Sequence, residues 1–358
     1  MHGRHHCAGK TKELISLLHG FNRLRLWAVA AVAAIAVTGV FGAQAFAAQE
    51  GEQNTWFPEQ AAGAQIHVTA GFSEARNWNN DLLQVWHDRD SNYIRVSYNH
   101  GGAALWPGAV TQAAPRVIWT GYGWRVFHTG QDGNIYYAGL EIRTDGTLNL
   151  GTWQRLVTPT RLSTYDPPAV VGLENDRDSG SEAWYVAYRD ANGDVRGQYH
   201  QRIKGQDTWS AWQWIGAAQG TVAAPGIAFN ASWNRLVLSY TRPGSYEVGV
   251  TTQILGSSNW SAGTVLSGFS GTQHSIPAIA LTNNSNGQIA IQAFGNGFRI
   301  AHIWLDSSRN FHWTWGQEST GWQTFWDPWL SAVGNVLYLL GSATDNQDPL
   351  YWKQSGSY

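Results

Sequence analysis

Downstream of residue 47 the sequence holds neither cysteine nor methionine; the one cysteine is Cys7 and the one methionine is Met1. A disulfide-stapled mini-domain, a thiolate nucleophile and a thiolate metal site are therefore excluded from that part of the chain. Charge is also sparse, with Asp, Glu, Lys and Arg at 13% and a formal net charge of −2, where a typical domain has ~25% charged residues. No basic patch of the kind nucleic acid demands is visible, which argues against that partner. The histidines after the leader are scattered, with no H-x-H or H-x-x-x-H spacing, so zinc has little support, and the runs Asp88-Arg89-Asp90 and Asp176-Arg177-Asp178 lack the spaced oxygens and terminal Glu of a calcium loop and read as turns; no metal or cofactor is expected. No segment sustains an apolar period of 3.6 residues, and helices should be almost absent.

The long hydrophobic run lies near the N-terminus. Lys10, Lys12, Arg23 and Arg25 precede the apolar stretch Leu26–Phe41, and Ala45-Phe46-Ala47 then fits the A-x-A cleavage pattern. At about 16 residues the run is shorter than the ~20 of a comfortable membrane span. Residues 1–47 are expected to be a signal peptide, leaving a secreted protein with no membrane attachment after cleavage; an uncleaved N-terminal anchor is the alternative.

What the chain has in excess is tryptophan (21) and glycine (40). Prolines beside apolar runs occur at Pro115, Pro168, Pro225, Pro277 and Pro328, with spacings of 53, 57, 52 and 51. Tryptophans after polar turns recur at Trp56, Trp106, Trp153, Trp209 and Trp260, with spacings of 50, 47, 56 and 51. Two markers thus share one period. Between them lie strand-like runs at Leu82–His87, Trp124–His128, Ala183–Tyr188, Arg235–Tyr240, Gln288–Phe294 and Val336–Leu340, each followed by a turn such as TGQDGN or RDANGD and a further β-rich run. Strand, turn and strand, with glycine supplying positive φ, is a hairpin signature.

Four short strands in each period of about 50 residues form the pattern of a propeller blade, and six such periods are present. The expected fold is all-β, a six-bladed β-propeller of four-stranded blades, in one domain over residues 48–358. The blades fall at roughly 62–111, 112–160, 161–217, 218–269, 270–321, and 322–358 completed by 50–61. The segment around Trp56 is expected to supply the last blade's missing strand and close the ring, leaving no open edge. A pair of β-sandwiches accounts for the strands but not for the common period.

The cadence Ala224-Pro225, Arg235-Leu236-Val237-Leu238-Ser239-Tyr240, Asn259-Trp260-Ser261, and likewise Asp207-Thr208-Trp209-Ser210-Ala211-Trp212, resembles the repeats of bacterial and fungal β-propeller lectins of the fucose-binding kind. The resemblance implies non-catalytic binding of monosaccharides in pockets between blades, and hence a glycan or cell-surface carbohydrate as partner. Such lectins carry the same binding set in each repeat. Here the residue closing the second strand reads His87, His128, Tyr188 and Tyr240 in turn, so fewer working sites are expected.

The period tryptophans recur in register and are read as packing, since each large ring buries ~150–250 Å². Trp212 and Trp214 are additions to this cadence, paralleled by Trp313 and Trp315. Two apart on a strand, such rings face the same way and form a platform for a sugar, or a cover for a blade face. The ligand candidates are therefore Trp212, Trp214, Trp313, Trp315, His87 and His128. Six-bladed propellers also host sialidase-like and other glycosidase sites, whose chemistry needs paired carboxylates or a tyrosine with a carboxylate and arginines. For that enzyme alternative Asp166 and Asp327 are the candidates, being carboxylates at the start of inner strands. Both also precede a proline, where ordinary turn chemistry explains an Asp. A protein-interaction scaffold is the third reading.

Overall fold

β-Branched and aromatic residues in short runs, punctuated by glycine, dictate strands. In Leu82–Asp88 every residue is buried, while Tyr93–Tyr98 sets buried Ile94 and Val96 between half-buried Tyr93 and Arg95. Turns of the kind read above do close hairpins: Gly133 and Gly193 sit at φ 70° and 85°, and the Asp132 and Asp190 side chains accept backbone N–H groups of Asn134 and Asn192.

The computed structural model describes residues 56–60, 68–88, 91–99, 101–173, 181–282, 286–292, 297–306, 310–323, 327–334, 336–342 and 349–354; the expected leader lies outside them. These residues form six antiparallel sheets. The innermost strands are Val68–Arg76, Arg116–Trp119, Ala169–Gly172, Gly226–Asn230, Ala278–Leu281 and Trp329–Val333, each leading into its sheet's hairpin. In the second and third sheets the outer position is shared by two short strands, Leu148–Leu150 with Gln154–Leu156 and Gln206–Trp209 with Gln213–Trp214. In the sixth sheet Trp56–Gln60 pairs with Pro349–Gln354, Trp56 opposite Gln354.

Successive sheets meet through apolar clusters, one for each junction from first–second to fifth–sixth. The inner strands approach closely. A Cβ on Gly172 would stand 1.9 Å from the Trp119 carbonyl oxygen of the second sheet, so only glycine fits there. Hydroxyls fasten the sheets further: Thr129 Oγ1 donates to the Asp166 carbonyl at 2.6 Å and Thr241 Oγ1 to the Ser275 carbonyl at 2.9 Å. The sixth and first sheets touch through Trp329 Nε1, which donates to the Glu74 carbonyl, and Ser331 Oγ, which donates to its carboxylate.

A buried ion cluster joins the second and third sheets. Glu182, 2% exposed, accepts from Arg125 at 2.5 Å and from Thr120 Oγ1 at 3.3 Å, with Arg202 at 3.6 Å. Glu182→Ala strands Arg125 and is expected to destabilise the fold by about 3–5 kcal/mol, read as a lower denaturant midpoint. A loss below about 1 kcal/mol, typical of a surface pair, would mean the cluster contributes nothing at this junction.

Candidate functional site

Hairpin register places the same structural positions side by side in neighbouring sheets. His128 pairs with Tyr136 in the second sheet as Tyr188 pairs with Arg196 in the third. Outside each hairpin a tryptophan stands edge-on to the residue closing the second strand: Trp153 to His128 at 4.6 Å and 87°, Trp212 to Tyr188 at 5.0 Å and 88°. Each arrangement faces the preceding sheet.

The two clefts differ in how their polar atoms are satisfied. Between the second and third sheets, Trp212 Nε1 donates to the Val157 carbonyl at 3.0 Å, and the Tyr188 hydroxyl meets Thr160 Oγ1 at 3.0 Å. Arg196 lies under the Trp214 ring at 5.0 Å, leaving that ring 55% exposed. Between the first and second sheets the matching atoms, Trp153 Nε1 and His128 Nδ1, are buried and have no hydrogen-bond partner among the described residues. That cleft encloses about 310 Å³ and is lined by Gly108 and Val110 on one side and by His128, Asp132, Tyr136 and Trp153 on the other.

Electrostatics keep this cleft's groups in one state at neutral pH. Burial pushes the His128 imidazole, 3% exposed, down to about 4, so it is neutral. Burial alone would raise Asp132, but hydrogen bonds from Asn134 and Tyr136 outweigh it and hold the carboxyl below its usual value. The Tyr136 hydroxyl donates to Asp132 at 3.0 Å; burial and that carboxylate raise it, so it stays protonated. A neutral ring stacked on a phenol at 5.4 Å and an anionic acceptor set apolar faces beside a directed polar group, as small-ligand sites do.

The other sequence candidates are dispersed. His87 is not the counterpart of His128: Trp86 takes that place opposite Arg95, and His87, one residue on, lies on the other face of its sheet, toward the second. Trp212 and Trp214 do not form a coplanar pair, because Trp212 lies before the short strand and turns its edge to Tyr188 while Trp214 covers Arg196. Trp313, opposite Ile303, packs against the core between the fourth and fifth sheets, and Trp315 lies opposite Ala301 on the same strand. Nor do the recurring tryptophans hold one place. Trp209 and Trp313 oppose His200 and Ile303, with Trp260 at the matching step, whereas the match of Trp153 is Trp212. Asp166 accepts from Arg189 Nε at 2.7 Å, and Asp327 accepts the Ile276 N–H at 2.8 Å. Burial raises both carboxyls, Asp327 to about 7.

Tyr136 escaped the sequence reading although it has a signal. The corresponding third-strand place holds Arg95, Arg196 and Arg299 in the first, third and fifth sheets.

No family model and no curated protein matches the chain. Solved structures do. SapL1 lectin in complex with alpha methyl fucoside is 14% identical, with a TM-score of 0.57, over 82% of this chain and 97% of that one. The Aleuria aurantia lectin, a fungal six-bladed β-propeller, is 13% identical, with a TM-score of 0.51, over 81% and 92%. A subtype N11 neuraminidase-like protein of A/flat-faced bat/Peru is 11% identical at 0.51, over 85% and 95%. At such identities the likeness is one of fold: this chain is similar to β-propeller lectins in architecture.

Proposed function

We propose that the chain is an exported, non-catalytic carbohydrate-binding protein, a six-bladed ring closed by the strand Trp56–Gln60, and that its sugar site is the cleft between the first and second sheets. The observation that carries this reading is the lining of that cleft, about 310 Å³ bounded by the His128, Tyr136 and Trp153 rings and the Asp132 side chain. In the next cleft the corresponding Trp212 Nε1 and Tyr188 hydroxyl are taken up by Val157 and Thr160. Sugar C–H faces suit the Trp153 and Tyr136 rings, and the Asp132 carboxylate suits their hydroxyls. The solved neighbours bound to fucosides support a glycan as ligand.

A glycan array probed with the protein lacking residues 1–47 tests the reading, with binding to a defined set of sugars expected. His128→Ala should weaken that binding at least about tenfold, equivalent to ~1.4 kcal/mol, with an unchanged circular dichroism spectrum. No binding across the array at high protein concentration would sink the proposal.

A further inference from the structure

A cavity of about 190 Å³ is lined by residues of all six inner strands. At its mouth stand the residues that follow the five prolines and open the inner strands: Arg116, Ala169, Gly226, Ala278 and Trp329. Three of these are small. The first sheet offers Ser73, fully buried and bonded to the Pro115 carbonyl and the Val117 N–H. The two large side chains at this level are therefore Arg116 and Trp329, of the second and sixth sheets.

Those two meet. The Arg116 guanidinium lies 4.6 Å from the Trp329 ring centre, and the side chain is 5% exposed. Among the described residues it has no ion pair within 4.0 Å and no hydrogen bond. A guanidinium carries five N–H donors in a plane, and a buried one is paired as a rule. With one face on the indole, its edge remains for a planar, bidentate acceptor.

We propose that this mouth binds the carboxylate of a small acidic molecule, gripped by the edge of Arg116 with Trp329 as its backing. The site is separate from the inter-sheet cleft and does not rest on the sugar reading.

Asp327, just before Pro328, sets its pH response. Facing it are Arg116, which favours its charge, and Asp166, which opposes it; Asp166 in turn is paired with Arg189 and feels His274. Glu74 also lines the cavity, holding Ser331. With its pKa raised to about 7, chiefly by burial, Asp327 is mostly neutral at pH 6 and mostly ionised at pH 8. Ionised, it repels a bound carboxylate and competes for Arg116. Burial lowers Arg116 only to about 10, so that group stays charged across the range.

Titration calorimetry of the wild-type protein with glucuronate, and with glucose as the neutral counterpart, tests the site. Expected are binding of glucuronate alone, at least about threefold tighter at pH 6 than at pH 8, and a loss of about tenfold or more in Arg116→Gln. Asp327→Asn keeps the acceptor for Ile276 N–H and should bind glucuronate equally at both pH values. Equal binding of glucose, no glucuronate binding, or unchanged affinity in folded Arg116→Gln overturns the proposal. Should Arg116→Gln not fold, Asp327→Asn decides: a pH dependence as steep as that of the wild type overturns it too.

Discussion

Trp184→Ala is expected to destabilise the fold by about 3–5 kcal/mol, the range for deleting a buried large aromatic. Trp184 is 1% exposed and lies at the junction of the second and third sheets. Its ring stacks on His200 at 3.6 Å and 22° and meets Trp209 edge-on at 6.0 Å. From the second sheet, Phe127 approaches at 6.1 Å and Tyr137 at 6.0 Å, with the Arg125 guanidinium 5.8 Å away. Alanine there leaves a void bounded by strands of both sheets, which their hydrogen-bond ladders prevent from collapsing. The inter-sheet contact should loosen as a unit, with faster amide exchange in Glu182–Arg189 and Trp124–Thr129 than elsewhere. Trp184→Phe retains most of the apolar volume and should lose less. A midpoint shift equivalent to less than about 1 kcal/mol in Trp184→Ala would mean that the junction is held by its polar contacts instead.

The strand rhythm was legible because turns and strands are local. Asp-Gly and Asn-Gly announce φ > 0, and alternating Ile, Val and Tyr announce pleated surface, so the second strands were placed within a residue or two of those observed. The identity of the recurring tryptophans was not legible. An outer strand that breaks in two, as around Trp153 and Trp212, shifts the register by three residues without disturbing the period of about fifty. Trp209 and Trp212 therefore exchanged roles: spacing in sequence picked the first, and hydrogen-bonded register matched the second to Trp153. Trp86 and His87 exchanged in the same manner, because one extra residue in the turn moves a side chain to the opposite face. The unpaired edge of Arg116 had no sequence signal either. That Arg116 opens an inner strand follows from Pro115, but that Trp329 reaches its face depends on contact between the second and sixth sheets, 213 residues apart along the chain.

Acidification is expected to destabilise the protein steeply between pH 6.5 and 4.5. Burial pushes His128 and His200 down to about 4, the latter against the pull of Asp207, and it lowers His87 and His302 as well. In the unfolded chain each imidazole takes its proton near 6.5. Between those values the unfolded state binds more protons, so stability that is complete above about 6.5 drains away as pH falls toward 4. For His128 the difference between 6.5 and about 4 converts to about 3 kcal/mol. Asp327 and Asp166 act in the opposite sense. Their raised values give stability that is complete below the ordinary carboxylate pKa and is lost as pH rises, for Asp327 through about 7. Four imidazoles against two carboxyls leave a net fall on the acid side. The thermal midpoint should drop by roughly 5–10 °C over that interval. In His128→Gln and His200→Gln the slope should be shallower than in the wild type, because the titrating ring is gone. A midpoint that stays level from pH 6.5 to 4.5 would show that these rings take up protons without unfolding, which requires water to reach them in the native state.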